Sequence, residues 1–321
     1  MAHLDFIDVE PLPDELAHSI IARLALLNCC DSDTLIAKLA RFHGIPKSSN
    51  HISVVAQTLG YRNAEFLKRH TLHPLLYAVE RGTNQVDLVN RRAPFRTFFG
   101  PKINTAAKYC ARCSELDRHM HSMTFWRRAH HLPSVDWCPV HYCGLESYRM
   151  LHTEYPTSDS KTVGTPTVYV EGTEHAANPV LRRYGALLMV WREKEVPYRS
   201  RDICDLILDA CLHQGIGITK GDSQSLLSDA LVEALPHSWL VKFMPRLSNK
   251  TKGTVDWALD KYLEQRFAYL TIKMVALLLS YLFDSIETID SHLNMESGRV
   301  NRDFEKNCLF QTARRPYSNF S

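Results

Sequence analysis

Two short pairs of metal-ligating residues constrain this chain more than anything else in it. Cys110 and Cys113 are separated by two residues, and after 24 intervening residues Cys138 and His141 repeat that spacing. A pair spaced in this way turns the backbone tightly enough for both donor atoms to reach one ion, and two such knuckles close a tetrahedral zinc site. Four protein donors complete the shell, so the expected Zn2+ is structural, because a catalytic zinc keeps one position for water. Cys143, His119, His121, His130 and His131 lie near enough in sequence to replace one ligand. His141 is preferred because it completes the second knuckle at the spacing of the first. The segment between the knuckles is long for such a site and is expected to carry a helix or hairpin of its own around Phe125-Trp-Arg-Arg128. Neither H-E-x-x-H nor H-x-E with P-C-x-x-C occurs to set a general base beside an open metal.

Charge gathers around the same stretch. The formal net charge is only +3, yet residues 91–150 hold ten Lys/Arg against four Asp/Glu, a local surplus of +6. A basic module built on a metal site points to a polyanionic partner, against the plainer reading of a solvated basic face. Candidate phosphate contacts there are Arg91, Arg92, Arg127 and Arg128. Phe125, Trp126 and Trp137 supply the apolar bulk that a small zinc fold otherwise lacks, and packing is favoured for them over stacking on bases. A second basic run, residues 242–273, carries seven Lys/Arg against three acids.

The rest of the chain reads as mainly α. Leu16, Ile20, Leu24 and Leu27 recur at helical spacing behind a candidate N-cap at Asp14, and Leu35, Ile36, Leu39 and Phe42 mark a second helix starting near Ser32 or Asp33. Residues 52–69 fit a helix-turn-helix, with Gly60 in the turn and Val55, Ala56, Leu59 and Phe66 between the helices; Arg69 departs from the pattern. A plain helical hairpin fits equally well. If the motif holds, its second helix exposes Arg62, Asn63, Lys68 and Arg69, of which Arg62 and Lys68 are the further candidate nucleic-acid contacts. Pro74 is expected to close this segment. The resulting division is a helical, helix-turn-helix-like module over 1–90, a zinc-ribbon or zinc-finger module over 91–154, a linker over 155–180, a helical domain over 181–297 and a flexible tail over 298–321.

Nine cysteines, an odd number scattered through helical patterns, do not resemble a secreted disulfide framework, and the first residues lack a basic leader with an apolar run. A cytoplasmic setting is expected. The long apolar stretch from Phe267 to Ile286 is broken by Lys273 and hydroxyl side chains and is read as a buried helix rather than a membrane span.

Taken together, Pro11-Leu-Pro-Asp-Glu-Leu16, Ser19-Ile-Ile-Ala-Arg-Leu-Ala25, His70-Thr-Leu-His-Pro74, the Cys110 knuckle, Phe125-Trp-Arg-Arg128 and Leu132-Pro-Ser-Val-Asp-Trp-Cys-Pro-Val-His141 resemble the TniQ/TnsD family. A weaker likeness continues through Ser238-Trp-Leu240 and Arg266-Phe-Ala-Tyr-Leu270. Tyr142-Cys143-Gly144 departs from the glycine that often follows the last histidine. The resemblance implies a bacterial, nonenzymatic target-selection protein of cut-and-paste transposons. Such a protein binds double-stranded target DNA directly or docks on an RNA-guided Cascade complex with its guide RNA. It then recruits the AAA+ ATPase TnsC, and a homodimer is an assembly open to it. The residues alone leave two rivals, a zinc-ribbon transcription regulator and, further off, a zinc-dependent nuclease for which no paired carboxylates stand near the ligands.

Overall fold

The computed structural model describes residues 6–46, 51–79, 106–149, 167–168, 170–194, 196–217, 225–257, 259–260 and 271–294. The chain is mainly helical, as expected. Helices α1 (Ala17–Leu27), α2 (Ser32–Phe42), α3 (His51–Thr58) and α4 (Asn63–His70) enclose one core, in which Ile20, Ile21, Leu24, Val55 and Phe66 are fully buried. Asp31 caps α2 by accepting from the Thr34 amide at 2.8 Å, one residue ahead of the expected start. Asp14 does not cap α1. It takes a left-handed φ of 64° and turns its carboxylate away to arginines of later segments, so α1 begins at Ala17 without a side-chain cap.

Between α3 and α4, Gly60 adopts a φ of +73° while Tyr61 N reaches back to the Ala56 carbonyl at 2.8 Å. That left-handed closure suits glycine, because a β-carbon there is strained. Pro74, expected to end the segment, instead starts α5 (His73–Tyr77) from its first turn, where a missing N–H has no intrahelical partner to lose.

The segment that carries the two knuckles holds β1 (Ala106–Tyr109), α6 (Ala111–His121), a 3-10 turn (Arg128–His131) and β2 (Glu146–Arg149). β2 pairs antiparallel with β1, Lys108 opposite Ser147, and with β3 (Thr167–Val168), Ser147 opposite Thr167. The helix expected around Phe125 to Arg128 is thus displaced: α6 starts at the first knuckle itself. Residues expected as linker also hold structure, namely β3 and α7 (Glu171–Ala177).

Beyond α7 come α8 (Pro179–Trp191), α9 (Ser200–His213), α10 (Leu227–Ala234), α11 (His237–Phe243), α12 (Pro245–Ser248) and α13 (Ile272–Leu282), followed by helical residues 286–294. Asn178 caps α8 through the Leu181 amide at 3.1 Å, with Pro179 in its first turn. These helices form the larger core, and Leu72, Leu75, Leu132, Val135 and Trp137 of the preceding segments enter it. Trp137 lies under α8 where a β-carbon on Gly185 would meet its ring at 3.2 Å, so the small residue lets helix and indole approach. Among the described residues no helix is long and apolar enough to cross a membrane. The tail 298–321, residues 267–270 of the apolar stretch, and Arg91 and Arg92 lie outside the described residues.

Candidate metal centre

The two knuckles meet. One donor atom from each of Cys110, Cys113, Cys138 and His141 lies within 4.8 Å of all the others, so these four residues could hold one metal ion. His141 Nδ1 stands 3.5 Å from Cys110 Sγ, 3.3 Å from Cys113 Sγ and 3.6 Å from Cys138 Sγ, and the Cys113 and Cys138 sulfurs are 3.7 Å apart. A tetrahedron around zinc would have sulfur–sulfur edges of about 3.8 Å and sulfur–nitrogen edges of about 3.5 Å. The donor set fits that shell.

The local backbone explains the approach. Cys110 precedes the first residue of α6 in extended geometry and Cys113 sits one turn along it, which brings both sulfurs to the same side. In the second knuckle Tyr142 N returns to Cys138 O at 2.8 Å and Cys138 N to Cys143 O at 2.7 Å, with Tyr142 at a φ of 53° closing the turn. All three cysteines are buried. Hydrogen bonds from neighbouring thiols hold Cys110 well below the ordinary thiol range, while the same neighbours push Cys113 up. Thiolates this close repel one another unless a cation lies among them.

The substitute ligands separate by position. Cys143 Sγ touches Cys110 Sγ at 3.5 Å, and His130 Nε2 lies 3.7 Å from Cys138 Sγ, so both flank the cluster. His131 is turned elsewhere, its Nδ1 on the Arg127 carbonyl at 2.9 Å and its Nε2 accepting from the Lys108 amide at 3.1 Å. His119 and His121 are exposed on the far turn of α6.

Of the expected nucleic-acid contacts, Arg62, Lys68, Arg127 and Arg128 lie among the described residues. Arg62 is exposed at the start of α4, and Lys68 is half-buried on that helix. Arg127 binds the Asp117 carboxylate and lies 5.0 Å over the Phe125 ring, its side chain 25% exposed. Arg128 needs correction: its side chain is only 4% exposed, and it pairs with Asp14 and Glu193 while donating to the Lys68 carbonyl at 2.5 Å and the Thr71 carbonyl at 3.2 Å. Arg192 joins the same carboxylates, at 2.6 Å to Asp14 and 3.0 Å to Glu193. A guanidinium so enclosed binds three segments of its own chain and is closed to a phosphate.

Another buried network escaped the sequence reading. Asp136, two residues before Cys138, receives Lys242 Nζ at 2.6 Å on one oxygen and meets His175 Nδ1 at 2.9 Å with the other, while His175 Nε2 lies 2.9 Å from Ser238 Oγ. Burial opposes the Asp136 charge, but His175 and Lys242 outweigh it and hold the carboxyl below its usual range. This is the order of a Ser–His–Asp triad, yet His175 is fully buried and Lys242 neutralises the carboxylate, which makes the network a tie between segments. Ser238 belonged to the weaker family likeness, its one sequence signal; His175 stood in a span read as linker.

A mainly helical protein with a closed centre of three thiols and one imidazole defines the class. Residues 6–145 match the family model TniQ, and that span contains every residue of the centre. No curated protein gives a significant match.

Proposed function

We propose that this protein is a nonenzymatic adaptor that marks the insertion target of a cut-and-paste transposon and recruits a TnsC-like AAA+ ATPase to it. The observation that carries the reading is the TniQ match over residues 6–145 with the four-donor cluster inside it. The centre holds one structural Zn2+ through Cys110, Cys113, Cys138 and His141. Its shell is complete with protein donors, which leaves no position for a nucleophilic water. The target is engaged as double-stranded DNA, directly or through an RNA-guided Cascade complex, and among the described residues first singled out Arg62 on α4 is the exposed cation best suited to a phosphate. Holding target and ATPase at once raises the effective concentration of each near the other, so two weak contacts suffice.

The test is retention of the transposon's ATPase by the immobilised protein, alone, with duplex target and with a Cascade complex. Retention that grows in one target arm supports the adaptor and identifies the route. Binding to duplex with no ATPase retained in any arm would instead favour a transcription regulator.

A further inference from the structure

The second knuckle is held from outside by helices of the C-terminal half. The stretch from Asp136 to Leu145 carries Cys138 and His141 and closes on itself, Leu145 N donating to Asp136 O at 2.9 Å and Trp137 bridging Gly144. At one end the Asp136 carboxylate is fixed by His175 of α7 and Lys242 of α11, and Ser238 of α11 holds the far side of the imidazole. At the other end Gly144 N donates to Thr173 Oγ1 of α7 at 2.9 Å. Gly172 seals the contact: a β-carbon there would lie 2.2 Å from the Asp136 carbonyl oxygen and 3.0 Å from the Gly144 Cα, so the helix backbone rests on the knuckle itself. The first knuckle is carried by β1 and α6.

An ion bound across the two knuckles therefore joins elements of the TniQ span to α7 and α11 of the following half. We infer that α7 and α11, through Asp136 and His175, set how tightly the centre holds its metal, and that the metal in turn sets how firmly those two helices dock. The two effects are one coupling free energy and must be reciprocal. Groups outside the ligand shell that orient ligands commonly change metal affinity by roughly 10- to 100-fold. Asp136 and His175 are positioning residues here, since they touch the knuckle's framework and not the ion. The inference rests on the metal reading of the cluster.

Metal-free protein is titrated with Zn2+ against a chromogenic chelator, as the unaltered chain, as His175→Ala and as Leu279→Ala, the last removing a buried α13 side chain from the same half. The expected result is an affinity about tenfold or more weaker in His175→Ala and unchanged in Leu279→Ala. In parallel, chelation of the loaded, unaltered protein is followed by amide hydrogen exchange, with protection expected to fall in α7 and α11 while α1 to α4 stay protected. Equal affinity in all three chains, an equal loss in both variants, or α7 and α11 that stay protected after chelation overturns the coupling while leaving the metal site standing. An unaltered chain that takes up no Zn2+ overturns the metal reading and the inference with it. Should His175→Ala fail to fold, the exchange measurement on the unaltered chain decides.

Discussion

At the scale of single residues, several charged or ionisable groups of this protein lie inside it. Glu15 and Arg23 form a two-point pair at 2.8 Å for each bond, both almost wholly buried, and burial raises the Glu15 carboxyl even against the arginine's charge. Glu15→Ala would leave the guanidinium enclosed without its carboxylate, an expected loss of about 3–5 kcal/mol, measurable by urea unfolding. The buried histidines give a pH dependence. Burial, with repulsion from His131 and His51, holds His18 down to about 3, and burial holds His131 down to about 4 despite its bond to the Arg127 carbonyl. Both are neutral in the fold, whereas in the unfolded chain they take up protons as pH falls below their ordinary 6.5. Their contribution is complete above that value and is lost as pH falls from 6.5 towards 3–4, at up to about 1.4 kcal/mol per pH unit for each. Unfolding free energies from pH 7.5 to 5 should fall with that sign, and His18→Gln should flatten the fall.

At the scale of elements, two short contacts decide how α7 and α8 sit. Asn178 ends α7 and caps α8, and its amide also donates to the carbonyl of Ala234, the last residue of α10, at 2.9 Å. Asn178→Ala removes the cap and this tie together, with an expected loss of about 1–2 kcal/mol and a lower melting temperature. The helical hairpin α3–α4 was legible because glycine at a left-handed turn and apolar residues at helical spacing are local requirements. The start of α1 was not. Asp14 has the chemistry of a cap, but Arg192, 178 residues away in sequence, competes for its carboxylate. Pro74 misled for a similar reason: the same ring that stops one helix is tolerated in the first turn of the next.

At the scale of the molecule, the arginines divide into those that bind the chain and those that face solvent. Arg128→Ala should lower folding stability without weakening the nucleic-acid affinity of the protein that remains folded, because its guanidinium joins Asp14, Glu193 and the end of α4. Arg62→Ala should weaken duplex binding and reduce its dependence on salt, as a lost phosphate contact does. Filter binding at two or more salt concentrations, paired with thermal melts, separates the outcomes. The proposed zinc belongs to this scale as well: Cys113→Ser or chelation should lower the melting temperature, since the binding energy of such an ion is part of the folding energy of the elements it joins.

The sequence by itself determined the helical character, the four-donor cluster and the family likeness, because each is written in short-range terms: apolar spacing at the helical period, and donor pairs set two residues apart. It also exposed the basic surplus around the knuckles as a sum of charges. Only the tertiary structure decided which of those charges are available. Arg128 and Lys108 count towards the surplus, yet one is enclosed by carboxylates and carbonyls, and the other turns its amine onto the Val135 carbonyl, burial lowering that amine to about 8. Nor could composition show that a stretch resembling a linker contains α7, whose Gly172 and His175 rest on the second knuckle. A side chain's partner across 39 or 106 residues, as for Asp136 with His175 and Lys242, depends on where distant helices pack, and no local periodicity encodes that distance.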